Sequence, residues 1–233
     1  SLTPHRGSTV SLKKKLILGI GAVVLVAGAV AADAFLDSQT DGLTAAELGA
    51  APKVGDPAPD FTAADTRGAS HSLTGYRGRW VVLEWVNHEC PYTKKHYKSL
   101  DGGLGNTQAM QRDYAKRVVW LSVVSSAPGK QGFTTAEKAD ELTREKGAAP
   151  TAVIRDTTGA LGRLYGARNT PQYMIIDPEG VLRYAGAIDS KQSSSAKDIA
   201  GATNYVRAAL DAGLAGTPIA VTQTQPYGCD VKY

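Results

Sequence analysis

The 233 residues carry 26 Lys and Arg against 22 Asp and Glu, a formal net charge of +4, with 42% hydrophobic and 21% charged residues. That is chain enough for one sizeable core, in an ordinary globular composition. Arg6, Lys13, Lys14 and Lys15 are the only charged residues before Ala32, so the rest is near neutral and has no electrostatic footprint for nucleic acid.

The first 32 residues are expected to be a targeting or anchoring segment. Lys13-Lys14-Lys15 precedes an unbroken apolar and small-residue run over 16–32 that leaves through Ala29-Val30-Ala31. A basic start, an apolar middle and a small-residue exit read as a secretory signal peptide cleaved near Ala31. The competing reading is an uncleaved anchor, for which the run is short against the ~20 apolar residues of a membrane span. Either way the protein is expected outside the cytoplasm, in the periplasm or an equivalent compartment, touching a membrane only through this segment. No cysteine stands there for lipid attachment. Residues 33–53, rich in Ala, Gly, Asp and Thr, read as a linker with a short helix at 44–48.

From 54 to 216 the pattern is that of one α/β domain without internal repeats. Short apolar strands are expected at 81–87, 118–124 and 152–156, with helices at 91–100, 107–116, 135–146, 161–165 and 199–212. This alternation implies a sheet covered by helices. Residues 189–197, with three consecutive serines, read as a polar surface loop, and 217–233 as an extended tail.

The chemistry concentrates where the first of these strands ends, in Asn87-His88-Glu89-Cys90-Pro91-Tyr92-Thr93. Pro is favoured at the first position of a helix, which places Cys90 at or beside the N-cap. There the helix dipole and free N–H groups favour an anionic sulfur, and Lys94, Lys95 and Lys98 add positive potential. These conditions lower a thiol pKa from about 8.5, and the thiolate is the nucleophile.

The segment resembles the thioredoxin superfamily, in which a strand delivers a nucleophilic Cys to the first long helix. The likeness extends along most of the chain after about residue 53. Val54-Gly55-Asp56-Pro57-Ala58-Pro59-Asp60-Phe61 is similar to the opening motif of redoxins. Asn169-Thr170-Pro171, followed by Gln172-Tyr173-Met174-Ile175-Ile176-Asp177, resembles the Thr–cis-Pro loop and its strand, with Pro178-Glu179-Gly180 turning into a hairpin. The nearest likeness is to peroxiredoxin-like redoxins (alkyl hydroperoxide reductase/thiol-specific antioxidant-like), which share the Asn-His-x-Cys-Pro-Tyr segment and a C-terminal Pro-Tyr-Gly-Cys. The resemblance implies a thioredoxin-like fold, a central mixed sheet flanked by helices.

The sequence also departs from both patterns. Thr93 occupies the second position of the thioredoxin Cys-x-x-Cys, and Asn87 stands where peroxiredoxins place a Thr. The peroxiredoxin Arg is absent near Pro171, with Arg168 the nearby substitute. Thiol–disulfide exchange is therefore the leading activity, with a thiol peroxidase as the alternative. Cys90 is the nucleophile, and Asn87, Tyr92, Thr170 and cis-Pro171 support it or present a substrate disulfide. Substrates would be protein disulfides or hydroperoxides, with an external thiol donor such as a thioredoxin-like protein.

Three further residues enter. Cys229, in Pro226-Tyr227-Gly228-Cys229, either resolves the Cys90 adduct as a redox partner, forms a permanent staple with it, or stays unpaired. Glu84 shares a strand face with Val82 and Val86; it is either a buried acid with a raised pKa, at the offset where thioredoxins hold a proton-relaying carboxylate, or an edge residue paired with water or a cation. His88, Cys90 and His96 also allow a non-catalytic copper- or zinc-handling module. No phosphate loop, dinucleotide fingerprint or Ser-His-Asp signature stands out, so no organic cofactor is expected.

Overall fold

Apart from Glu84, the run from Val81 to Val86 is apolar at every position, the mark of a strand covered on both faces. The computed structural model describes residues 50–99 and 101–233, and in it this run is β3 (Trp80–Trp85), the middle strand of a five-stranded sheet. The signal or anchor segment, the helix at 44–48 and most of the linker lie outside the described residues.

The sheet has the order β5-β4-β3-β7-β8. β3, β4 (Val118–Val124) and β5 (Ala152–Arg155) run parallel, while β7 (Gln172–Ile176) lies antiparallel to β3 and β8 (Leu182–Gly186) antiparallel to β7. This mixed sheet between helices is the thioredoxin-like arrangement. One face buries Val81, Leu83 and Trp85 with Phe61, Leu73, Leu161 and Tyr165. The other buries Val82 with Met110, Tyr114, Val206 and Leu210, the apolar sides of α2 (Asn106–Tyr114) and α5 (Tyr205–Leu214). A hairpin of β1 (Thr62–Ala64) and β2 (Ser70–Ser72), absent from the sequence reading, precedes the sheet. Asp65 forms its turn, Oδ1 accepting from Arg67 N at 2.8 Å and Ala69 N at 2.9 Å.

The helices depart from expectation in instructive places. α1 (Pro91–Tyr97) stops before 100 because Lys98 is extended and Gln108 of α2 donates to the Tyr97 carbonyl at 2.9 Å. The segment expected as one helix over 199–212 divides into a 3-10 helix (Ala196–Gly201) and α5, because Asn204 caps the latter by accepting from Arg207 N at 2.9 Å. α3 (Ala136–Glu145) and α4 (Ala160–Tyr165) lie close to their expected positions. No helix among the described residues is long and apolar enough to cross a membrane.

The tail does not hang free. Residue 224 bonds to the end of β8, with Thr224 N donating to Ala185 O at 3.1 Å and Thr224 Oγ1 accepting from Ala187 N at 2.9 Å. β9 (Cys229–Asp230) then pairs antiparallel with β6 (Asn169–Thr170), Thr170 standing opposite Cys229. Val231 N donates to Arg168 O at 2.9 Å, Ala127 N to Lys232 O at 2.8 Å, and the Tyr233 hydroxyl to Ala167 O at 2.8 Å.

This docking needs Gly228. Its φ of +139° suits glycine, and a Cβ there would land on the Thr170 carbonyl. Gly228→Ala should loosen the tail by about 1–3 kcal/mol. Labelling of Cys90 by iodoacetamide, followed by peptide mass spectrometry, should then accelerate about tenfold.

Candidate active site

Cys90 sits at the junction that its sequence neighbours describe. Its φ and ψ of −68° and 128° are extended, while its carbonyl already accepts from Lys94 N at 2.9 Å. It is therefore the N-cap of α1, with Pro91 as the first helical residue. The loop leading to it is shaped by Asn87, which is buried: Oδ1 accepts from Glu89 N at 2.9 Å and the Asn87 carbonyl from Cys90 N at 3.0 Å. Cys90 itself is 0% exposed.

Two other segments close on the sulfur. The Thr170–Pro171 peptide is cis, and the Thr170 carbonyl lies 3.1 Å from Cys90 Sγ. Pairing of β9 with β6 brings Cys229 Sγ to 2.6 Å from Cys90 Sγ, both residues being free cysteines. Cys90, Thr170, Pro171 and Cys229, distant in sequence, thus form one cluster at the carboxyl end of β3.

The sequence pattern of the AhpC/TSA family matches residues 54–185, more than half of the chain. The chain belongs to the AhpC/TSA family. Its fold is similar to that of a hypothetical protein from Sinorhizobium meliloti 1021, at 22% identity and a TM-score of 0.64 over 79% of this chain and 96% of that one. An uncharacterized conserved protein from Geobacillus kaustophilus is similar at 23% identity and a TM-score of 0.63, over 78% and 92%. The exposed lipoprotein thioredoxin of Streptococcus pneumoniae matches at 22% identity and a TM-score of 0.42, over 58% and 93%. Comparison with functionally curated proteins gives no match.

In this AhpC/TSA redoxin the two thiols are electrostatically unequal. Burial pushes the Cys90 pKa up, but hydrogen bonds from the Cys229 thiol and from the backbone N–H groups of Thr93, Cys229 and Tyr92 outweigh it and leave Cys90 below an ordinary thiol. The Cys229 thiol is pushed up to about 11, by burial first and then by donating to, and sitting beside, the Cys90 sulfur. Of the two, Cys90 is the more readily ionised and Cys229 the one held as a thiol. The lysines contribute less than the sequence suggests. Lys95 is buried and paired with Asp189, Nζ to Oδ2 at 2.9 Å, while Lys94 and Lys98 face solvent.

Glu84 is fully buried, and its partners are neutral donors rather than a cation. Tyr97 OH and Tyr173 OH donate to Oε1 at 2.8 and 3.2 Å; Trp120 Nε1, Ser122 Oγ and Gln111 Nε2 donate to Oε2 at 2.7, 3.0 and 3.3 Å. Burial raises its pKa, opposed by those hydrogen bonds. Tyr173 is its direct cross-strand neighbour on β7, and Tyr97 ends α1 with its ring edge-on to His88, centroids 4.8 Å apart. The carboxylate thus braces the Cys90 loop through Tyr97; it makes no hydrogen bond to the sulfur itself.

Several other expectations change. The metal set does not assemble: among the described residues no three His, Cys, Asp or Glu side chains could hold an ion. Nε2 of His96 lies 3.3 Å from Tyr227 OH and its Nδ1 3.3 Å from Asn106 Nδ2, so both ring nitrogens are engaged. Burial lowers the pKa of His88 and of His96 to about 4, leaving both neutral at pH 7. Arg168 is exposed and enters only through its backbone, its carbonyl accepting from Val231 N and its N–H donating to Gln172. Thr93 is buried with its hydroxyl unpartnered. Asp189, expected on a surface loop, is 2% exposed. It and Tyr227 were invisible as site residues because only the folded chain brings them to α1.

The lowered Cys90 pKa sets the sign of a pH experiment. The thiolate should persist to lower pH than an ordinary thiol, so the ultraviolet thiolate absorbance should rise through a midpoint below that of an unperturbed cysteine. Cys229→Ala removes a donor to that thiolate and should move the midpoint upward.

Proposed function

We propose that this redoxin is an extracytoplasmic two-cysteine thiol–disulfide oxidoreductase. The observation that carries the reading is the contact of the N-capping Cys90 with Cys229, 2.6 Å apart beside the Thr170–Pro171 loop.

The Cys90 thiolate attacks one sulfur of a substrate disulfide, forming a mixed disulfide and expelling the other sulfur as a thiolate that takes a proton. Cys229, on losing its proton, attacks Cys90 Sγ and closes the Cys90–Cys229 bond, and the second substrate sulfur leaves as a thiolate that takes that proton. The substrate gains two electrons and two protons; the two cysteines lose them. A dithiol donor, such as a thioredoxin-like protein, reverses the oxidation by the same exchange. The backbone N–H groups of Tyr92 and Thr93 stabilise Cys90 both as nucleophile and as leaving group. The N-terminal segment supports an exported setting, in which such disulfides persist.

A thiol peroxidase is the second reading, favoured by family membership. Its oxidation would pass through a Cys90 sulfenic acid, which Cys229 then condenses with. The two separate on substrate: oxidoreductase chemistry predicts rapid turnover of protein disulfides and slow turnover of hydrogen peroxide.

Cys90→Ser should abolish turnover in either case. Cys229→Ser should accumulate the Cys90–substrate mixed disulfide, seen by mass spectrometry of non-reduced peptides, and make turnover depend on added thiol. A Cys229→Ser protein that turned over like wild type would remove Cys229 from the cycle.

A further inference from the structure

Two residues before Cys229, Tyr227 enters a polar cluster that the exchange chemistry does not explain. The side chain is 8% exposed, and its hydroxyl donates to Asp189 Oδ1. Lys95 Nζ donates to that hydroxyl at 3.0 Å, to Asp189 Oδ1 at 3.2 Å and to the Lys191 carbonyl at 2.6 Å, and pairs with Asp189 Oδ2 at 2.9 Å. His96 Nε2 lies 3.3 Å from the same hydroxyl, and the Tyr92 ring meets the Tyr227 ring edge-on at 5.9 Å. Lys95 and His96 are 1% and 0% exposed. Tyr92, Lys95 and His96 all belong to α1, the helix that Cys90 caps.

A buried ion pair gains little in stability over apolar packing, so its presence beside a reactive thiol asks for a reason of position. The position is specific. Lys95 and Asp189 contact each other directly, and Tyr227 is the tail's link into that pair. The link joins the element bearing Cys90 directly to the segment bearing Cys229.

We infer that Tyr227 is a positioning residue for the Cys90–Cys229 couple, a latch on the Lys95–Asp189 pair that holds Cys229 at the nucleophile and keeps Cys90 covered. The inference rests on the two-cysteine reading above. With the latch closed, the ordering cost of bringing Cys229 to Cys90 is met by buried hydrogen bonds before any bond between sulfurs forms. With it open, the tail must be ordered again each time the disulfide closes. The same contact decides how often Cys90 is uncovered for a substrate.

The test is equilibration of the full chain with glutathione: protein disulfide plus two glutathione thiols gives protein dithiol plus glutathione disulfide. Tyr227→Phe keeps the ring and leaves Lys95 paired with Asp189, so the domain should retain its Tm within a few degrees. The equilibrium constant for forming the Cys90–Cys229 bond should fall about tenfold, as for loss of a hydrogen bond to charged groups, a potential about 30 mV less negative. In a Cys229→Ser background, Tyr227→Phe should also speed iodoacetamide labelling of Cys90. A residue that only stabilised the fold would move Tm and leave both of these in place.

An unchanged equilibrium constant and labelling rate, with the wild-type disulfide forming normally, would overturn the latch alone. Failure of wild type to form a Cys90–Cys229 bond in oxidised glutathione would overturn the latch together with the two-cysteine reading. Hydrogen exchange of the unmutated protein tests the same point should the variant fold poorly. The amide of Val231 should be protected comparably to that of Lys94 in α1; exchange at the rate of a free peptide would exclude a latched tail.

Discussion

The antiparallel pairing of Cys229 with Thr170 is the contact on which the site depends. β6 is only two residues long, and its partner strand comes from the last few residues of the chain. Strand geometry places residues directly opposite each other within side-chain contact. Once Thr170 is held near Cys90 by the sheet, whatever pairs with Thr170 is delivered to the sulfur as well. Residues 229–232 are held against the Cys90 cluster by main-chain hydrogen bonds, which do not depend on side-chain identity at the paired positions themselves. What makes Cys229 special is register, set on one side by Gly228 and Tyr227 and on the other by Val231, Lys232 and Tyr233.

Around that contact the protein buries a good deal of polar chemistry. Two groupings stand out on opposite sides of α1. At its carboxyl end Glu84 gathers five neutral donors from α1, α2, β4 and β7. Along its flank Lys95 and Asp189 form an ion pair shielded from water. Buried polar groups survive only when their hydrogen bonds are met, so each grouping constrains several elements at once. Both constrain the helix that carries Cys90. Rigid support of a reactive group by surrounding hydrogen bonds is what a fixed exchange geometry requires.

The thiol asymmetry follows from the same arrangement. A backbone N-cap offers donors without adding a full positive charge, and a neighbouring thiol adds one more. Cys229 pays in the opposite direction, because a second negative sulfur beside the first is unfavourable. The difference in acidity between two identical side chains therefore comes from position: one faces a helix terminus, the other faces the first.

Much of this was legible in the chain. The apolar run from Val81, the Cys90-Pro91 junction and the Thr170-Pro171 loop are local signals, each tied to short-range physics: alternation and burial of a strand, the missing N–H of proline, the capping position of a helix. They determined the fold class and pointed to Cys90 and the loop that faces it. Strand alternation left Glu84 open between a buried acid and an edge residue, and its partners were not legible at all, since Tyr97, Gln111, Trp120, Ser122 and Tyr173 come from four separate elements. The burial of Lys95 and Asp189 was likewise hidden, because a lysine on a short helix and an aspartate in a serine-rich loop both look solvated until a third segment covers them. Whether Cys229 reached Cys90 was open in the sequence, at 139 residues' separation. Only the tertiary structure decided it, because strand pairing across that distance depends on where the sheet has already placed Thr170, and no local preference encodes that.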